Sequence, residues 1–234
     1  MILSVVIPCY NEEQTLRTSV QRVLDADFGN ISKDIVIVDD GSTDQSQAIA
    51  TEFQTRHPAV VRLLTHTHNQ GKGAAVRDGL AVARGDLIVI HDADTEYDPQ
   101  DFQQMLALFR LPEVDVVFGS RRFLPNPISG MFYYWGAQLI NAFTNVLYGA
   151  RVTDQFTCYK MFRRTILDQL SLRSNGFAVD AEFTAKILRL GYRIYEVPIT
   201  YHPRSLREGK KIRFHDGVSW LAQIIKYRFL GPRD

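Results

Sequence analysis

Five short, near-continuously apolar runs divide the first half of the chain: LSVVIP (3–8), DIVIVDD (34–40), VRLLTH (61–66), DLIVIHD (86–92) and DVVFGSR (115–121). A strand with one wet face alternates apolar and polar residues, whereas a run without alternation belongs to a strand covered on both faces. The intervening spans Glu12–Ala26, Asp44–Thr55, Lys72–Ala83 and Pro99–Phe109 begin with polar residues or proline, and glycines such as Gly29 and Gly85 follow helix ends. Strand–helix alternation predicts βαβ units with right-handed crossovers, hence an α/β fold around a mainly parallel central sheet. The second half is less regular. A charge-free stretch from Phe123 to Ala150 precedes a strand-like CYKMF, a helix through Asp180–Leu190, the strand YRIYEVPITY, a basic loop and a last amphipathic helix. With 234 residues, 45% of them hydrophobic, one core suffices, and a single domain over 1–234 is expected, with halves 1–121 and 122–234.

The net charge of +1 provides no whole-molecule field for nucleic acid, so any binding site must be local. Two cysteines, Cys9 and Cys158, make neither a disulfide framework nor a zinc set, and Cys9 reads as a small core residue. MILSVVIP lacks the basic start of a signal peptide, and no apolar run approaches the roughly 20 residues a membrane span needs. These features predict a cytoplasmic protein.

In open α/β sheets ligands bind beyond the carboxyl ends of the strands. There the chain carries PCYNEE, DDGSTD, HNQGKGAA, HDADTEYD and GSRR, which together describe the rim of one site. HDADTEYD packs four carboxylates into a few residues. Residues two apart on extended chain share a side, so Asp92 and Asp94 can aim at one point, where a hard cation such as Mg2+ or Mn2+ relieves their repulsion and accepts phosphate oxygens. A dinucleotide fold would need glycines after the first strand, which are absent, and Gln70-Gly71-Lys72-Gly73 lacks the spacing of a phosphate loop. Lys72 at a helix start is either a solvated lysine or an anion contact.

Taken in order and at these spacings, VVIPCYNEE, VDDGSTD, NQGKGAAVRDGL, GDLIVIHDADTEYDP and VFGSRR resemble the inverting family 2 glycosyltransferases of the GT-A fold. TDQFTCYKMFRR, GFAVDAEFTAKILRLGYRIYEVPITY and REGKKIRFHDG extend the resemblance to the branch that contains dolichol-phosphate mannose synthase and polyprenyl-phosphate glucosyltransferases. It implies a Rossmann-like nucleotide-sugar-binding fold in which Pro8, Tyr10, Asn11 and Glu12 line the nucleotide pocket. Asp39 and Asp40, followed by Gly41, would hold base and ribose, although Asp40 also reads as a turn or cap residue. Asp92-Ala93-Asp94 match the family's Asp-X-Asp, which binds Mg2+ or Mn2+ at the donor diphosphate. Glu96 and Asp98 read as the start of the Pro99 helix.

The implied reaction moves a hexose from a nucleotide-sugar, of GDP-mannose or UDP-glucose type, to polyprenyl or dolichyl phosphate. A phosphate acceptor is already largely dianionic at neutral pH, its second pKa being about 6, and needs cations rather than a general base. Arg121 and Arg122 are candidates, as are Arg204, Arg207, Lys210, Lys211 and Arg213 of the basic loop, whose bland reading is a solvated tract. Lys160 follows Cys158-Tyr159 where the mannose-synthase pattern has Gly-Phe, and Asp154 is placed to orient the arginines. Asp180 and Glu182 resemble the family's Phe-Asp-X-Glu and are either catalytic or dipole-favourable acids at a helix start. Phe132, Tyr133, Tyr134 and Trp135 open a helix whose Gln138, Asn141, Asn145 and Tyr148 form a narrow polar face. It reads as an interfacial helix, aromatic side down at the inner face of the cell membrane, or as a core helix or homodimer contact. Three other functions fit the motifs: a family 2 enzyme with a sugar-hydroxyl acceptor in cell-envelope polysaccharide synthesis, a haloacid-dehalogenase-like phosphotransferase, and a non-catalytic nucleotide-binding module.

Overall fold

The structure, a computed structural model, describes residues 1–128, 130–204 and 214–230, without the side chains of 132, 133 and 214–216. Seven strands form one sheet: β1 (Ile2–Cys9), β2 (Ser32–Asp39), β3 (Val61–Thr65), β4 (Leu87–Ile90), β5 (Val116–Ser120), β6 (Lys160–Arg163) and β7 (Ile194–Pro198). Their order is β3-β2-β1-β4-β6-β5-β7. The strands of the first half are parallel where they adjoin, as are β5 and β7. β6 instead runs antiparallel to both its neighbours, β4 and β5. CYKMF thus becomes a strand inserted between two elements of the first half. One sheet runs through both halves of the chain.

Helices α1 (Leu16–Asp25), α2 (Ser46–Arg56), α3 (Lys72–Val82) and α4 (Phe102–Leu108) cross between the early strands, and α5 (Met131–Tyr148), α6 (Val179–Arg189) and α7 (Phe214–Phe229) follow. Four of the five apolar runs are strands covered on both faces: Val5, Val6, Ile7, Ile35–Val38, Leu87–Val89 and Val116–Phe118 are almost completely removed from solvent, whereas β3, at the edge of the sheet, is half-buried beyond Val61. α1 begins four residues after the expected Glu12. Asn11 has a φ of 49°, and the Glu12 carbonyl first accepts from Thr15 and Leu16, so a turn precedes the helix. The Pro99 span starts as a tight turn, Pro99–Asp101, capped by Asp98, which accepts from the Gln100 amide.

β2 and β3 extend outward from one edge of β1, and the chain then returns to place β4 on the other edge. Successive connections therefore leave β1 in opposite directions. That reversal opens a crevice at the carboxyl ends of β1 and β4, the place where α/β sheets bind ligands.

At the amino ends of the same strands a buried polar knot ties β1, β2 and β3. Asp34 accepts from Ser4 Oγ, from Arg62 Nη2 and Nε (2.6 and 3.0 Å to Oδ1) and from the Arg84 amide at 3.1 Å. Burial opposes its charge, but Ser4, Arg62 and the amide outweigh burial and hold its pKa below the ordinary carboxylate value. A depressed pKa adds stability that is present above the unfolded value, about 3.9, and is lost as pH falls through the folded one. Asp34→Asn is expected to destabilise the fold by about 2 kcal/mol at neutral pH. In urea melts from pH 6 to 2.5 its loss relative to wild type should shrink below about pH 4; a difference constant across that range would contradict the assignment.

Candidate active site

The strand ends close around one cleft of about 660 Å³. Pro8, Tyr10 and Glu12 line it after β1, Asp40 after β2, Asn69, Gly71 and Lys72 before and at the start of α3, and Asp92, Ala93, Asp94 and Glu96 after β4. Arg121 and Arg122 come from the end of β5, Asp180 from the start of α6, and Arg204 from beyond β7.

Loop-to-loop hydrogen bonds fix the wall built by the ends of β1 and β2. The Asn11 side chain accepts from the Thr43 amide at 2.8 Å, and the Glu12 amide donates to Ser46 Oγ at 2.8 Å. Asp40 accepts from the amides of Gln70 (2.9 Å) and Gly71 (2.7 Å) and from His66 Nδ1 (2.6 Å), so it builds the turn into α3 while facing the cleft. Gly41, with φ of +69°, lies so close to the His68–Asn69 backbone that a Cβ would collide with it. Asp39 ends β2 opposite Cys9, and its buried Oδ1 has no partner among the described residues. A Cβ on Gly73 would overlap the Ser174 carbonyl, so its absence lets α3 abut the loop before α6.

The acidic motif is neutralised from two sides. Lys72 Nζ lies 2.8 Å from Asp92 and 3.7 Å from Asp180, and fully buried Lys160 lies 2.6 Å from the other oxygen of Asp180. Burial disfavours the Lys72 charge, but Asp180 and Asp92 outweigh it and hold the ammonium well above its ordinary pKa. Arg204 contacts Asp94 at 2.7 Å, Glu12 at 2.9 Å and Glu96 at 3.4 Å. Even so, burial and the adjacent charges of Asp92 and Glu96 push Asp94 up to about 7. Burial drops His91, just before the motif, to about 4, so it is neutral; its Nε2 meets Ser19 Oγ at 2.9 Å.

Opposite stands an arginine wall. Arg121 makes a forked pair with buried Asp154 (Nε 2.7 Å, Nη2 2.8 Å) and lies 4.9 Å over the Tyr201 ring. Glu196 of β7 accepts from the amides of Thr153 and Asp154 and so fixes the turn that carries Asp154. Arg122 stacks 4.4 Å over Tyr134 of α5. Ile128, Phe156, Phe177 and Trp220 add apolar surface to the lining, and the Phe177 ring lies 6.0 Å from Lys72 Nζ. Trp220 packs 4.3 Å from Phe156 and donates to the Phe177 carbonyl.

The polar face of α5 points into the protein. Asn141 and Asn145 bind the Val152 carbonyl, and Tyr148 donates to the Ile224 carbonyl of α7. Outward, Trp135, Leu139 and Val146 are 62%, 73% and 86% exposed, and Val218, Ile225 and Phe229 of α7 are exposed as well. No helix among the described residues is long and apolar enough to cross a membrane.

Several expected placements change. Glu182 is not in the cleft lining. It is fully buried, accepts from the amides of Arg173 (2.8 Å) and Ser174 (2.7 Å) and pairs with Lys186 at 2.9 Å, because two residues along a helix differ by about 200° in phase and turn it from Asp180's face. Asn11, Asp39, Gly41 and Lys160 are also absent from that lining: Asn11 and Gly41 build the loops behind it, and Lys160 reaches it through Asp180. Glu96 does not serve the helix start but accepts from Tyr201 OH (2.7 Å) and the Arg204 amide (2.9 Å). Arg204 stands on the acidic motif rather than in a solvated tract. Arg207, Lys210, Lys211 and Arg213, and the side chains of Phe132 and Tyr133, lie outside the described residues. Phe156, Phe177 and Trp220 had no local signal in the sequence; an aromatic in a helix or loop reads as core.

Comparisons with known proteins bear on the family and the fold. The family model described as glycosyl transferase family 2 matches residues 4–171. The low-salt glycan biosynthesis hexosyltransferase Agl6 of Haloferax volcanii is 32% identical over 92% of this chain, which spans only 51% of that protein. The undecaprenyl-phosphate mannosyltransferase of Micrococcus luteus is 32% identical over 88% of this chain and 85% of its own length. Among solved structures, glucosyl-3-phosphoglycerate synthase from Mycobacterium tuberculosis in complex with Mn2+, uridine diphosphate and glucosyl-3-phosphoglycerate superposes with a TM-score of 0.71 at 20% identity. That likeness covers 97% of this chain and 78% of that one and speaks to the fold. The chain therefore belongs to glycosyl transferase family 2.

Proposed function

We propose that this chain transfers a hexose from a nucleotide-sugar to a polyprenyl phosphate, with inversion, using a divalent cation at Asp92 and Asp94. The observation that carries the reading is the meeting, in one cleft lining, of the acidic residues that follow β4 with Arg121 and Arg122, on a chain whose α5 and α7 expose apolar side chains. The relative from Micrococcus luteus is named for an undecaprenyl-phosphate acceptor, which such a combination suits.

Asp92 and Asp94 fit a divalent metal as an incomplete oxygen set. They lie close enough for Asp92 to raise Asp94, and no group of three acidic, histidine or cysteine residues able to hold a metal occurs among the described residues. Mg2+ and Mn2+ commonly take one or two carboxylates and complete their shell with water and substrate phosphate. When bound, the cation would supply Lewis-acid stabilisation of the departing diphosphate. On the same side, Lys72 at the amino end of α3 adds a cation and a helix terminus toward the leaving anion. Asp39 Oδ1, buried and unpartnered, suits a ring N–H of the nucleobase.

Glu12, Asp40, Asp92, Asp94, Glu96 and Asp180, the acidic residues of the cleft among those described, are each engaged by a cation or a backbone amide. Two arginines in the same lining support a phosphate acceptor, which needs cations and no general base. Arg121, pre-oriented by Asp154, and Arg122 would hold that phosphate. The outward faces of α5 and α7 would rest on the membrane that carries its chain.

With Mn2+, labelled GDP-mannose or UDP-glucose and undecaprenyl phosphate, the purified protein is expected to form a solvent-extractable glycolipid. Transfer only to a soluble glycan would overturn the acceptor assignment. Asp92→Asn should keep the fold and cut turnover by a factor on the order of 100 or more. Arg121→Ala should raise the KM for lipid phosphate while nucleoside-diphosphate affinity stays within about twofold. Replacing Trp135 and Leu139 together by serine should abolish salt-resistant co-sedimentation with anionic vesicles and slow transfer to long-chain more than to short soluble acceptors. Equal activity on both, with a change in oligomeric state, would assign α5 to a dimer contact.

A further inference from the structure

Arg204 is the least expected member of the cleft. Its guanidinium spans three carboxylates: Nη1 to Glu12 at 2.9 Å, Nη2 to Asp94 Oδ2 at 2.7 Å and Nε to Glu96 at 3.4 Å. Its own amide donates to Glu96 Oε1 at 2.9 Å, which tethers the backbone beside the acidic motif. Both oxygens of Asp94 are already engaged, Oδ1 by the Glu96 amide at 3.0 Å and Oδ2 by the arginine at 2.7 Å. The two members of the motif are unequal in this respect. Asp92 meets Lys72 through Oδ1 alone and keeps about a quarter of its side chain exposed, against a tenth for Asp94.

We infer that Arg204 and the divalent cation compete for Asp94 Oδ2, so that the guanidinium must leave that carboxylate before the metal can bind both aspartates. This rests on the assignment of Asp92 and Asp94 as the metal anchor. Two cations cannot share one oxygen in a half-buried site without strong repulsion, since the low local dielectric that favours each ion pair also magnifies like-charge contact. A flexible arginine has somewhere to go once a nucleoside diphosphate arrives. Its planar fork matches phosphate oxygens, and the diphosphate supplies the metal with its missing ligands at the same moment. Metal alone should therefore bind weakly and metal with nucleoside diphosphate strongly. Arg204 is on this account a positioning residue that couples the two ligands and protects the acidic motif from stray cations.

The test reads metal binding, not turnover. Free Mn2+ is followed by electron paramagnetic resonance at about pH 8, above the value of about 7 for Asp94, without nucleotide. Arg204→Gln should bind Mn2+ roughly tenfold more tightly than wild type, a coupling in the ordinary range for two linked ligands. Adding Asp94→Asn to that variant should erase the gain, and adding UDP or GDP should bring wild type and Arg204→Gln together. Equal or weaker Mn2+ binding by Arg204→Gln would overturn the inference, as would a gain that survives Asp94→Asn. If Arg204→Gln does not fold by circular dichroism, Arg204→Lys decides: a point charge without the fork should compete less well and bind Mn2+ more tightly than wild type, and unchanged or weaker binding would overturn the inference. Mn2+ binding by wild type that is indifferent to Asp92→Asn would show instead that the metal anchor itself is misplaced.

Discussion

Six carboxylates meet in one partly buried cleft, and the structure depends on how their mutual repulsion is cancelled. Lys72 and Lys160 answer Asp92 and Asp180, Arg204 answers Glu12, Asp94 and Glu96, and backbone amides with His66 answer Asp40. Removing one cation would leave buried charge without a partner, which costs more than the pair itself contributes. Each cation arrives on a different element, namely α3, β6 and the segment after β7. The acidic cleft is consequently a reason for the second half of the chain to close on the first.

The sheet explains why those elements meet. β4 ends where the connection order reverses, so HDADTEYD emerges into a crevice instead of onto a helix. β6, inserted antiparallel between β4 and β5, carries Lys160 at its first residue and brings it to Asp180. The turn before it places Asp154 under Arg121. Asp92, Lys160 and Arg121 thus hang from β4, β6 and β5, three consecutive strands of the sheet, whose buried side chains leave little freedom for them to drift.

The first half was legible because most of its strands are buried on both faces and their ends carry the polar residues; β3 to β5 fall within the apolar runs, and β1 and β2 overrun theirs by one or two residues. The direction of CYKMF was not legible, since a short apolar run carries no sign of parallel or antiparallel pairing. Glu96 was misread as a helix-start acid because its partners Tyr201 and Arg204 lie more than 100 residues away in sequence. It does continue the two-residue spacing of Asp92 and Asp94, a signal that was present. Arg204 was hidden in a basic tract where neighbouring charges look alike. The amide face of α5 was visible by its spacing, and the structure turns it inward to the Val152 carbonyl, leaving the apolar side for solvent or membrane.

The central claim is that the acidic motif binds a nucleoside diphosphate through a shared divalent cation. Isothermal titration of UDP and GDP into the protein, with Mn2+ and then with the metal chelated, tests it most directly. The account expects one of the two nucleotides to bind with a stoichiometry of about one in Mn2+ and at least roughly tenfold more weakly without it, and Asp92→Asn to erase the difference. Nucleotide binding of the same strength with and without metal, or unaffected by Asp92→Asn, would contradict it.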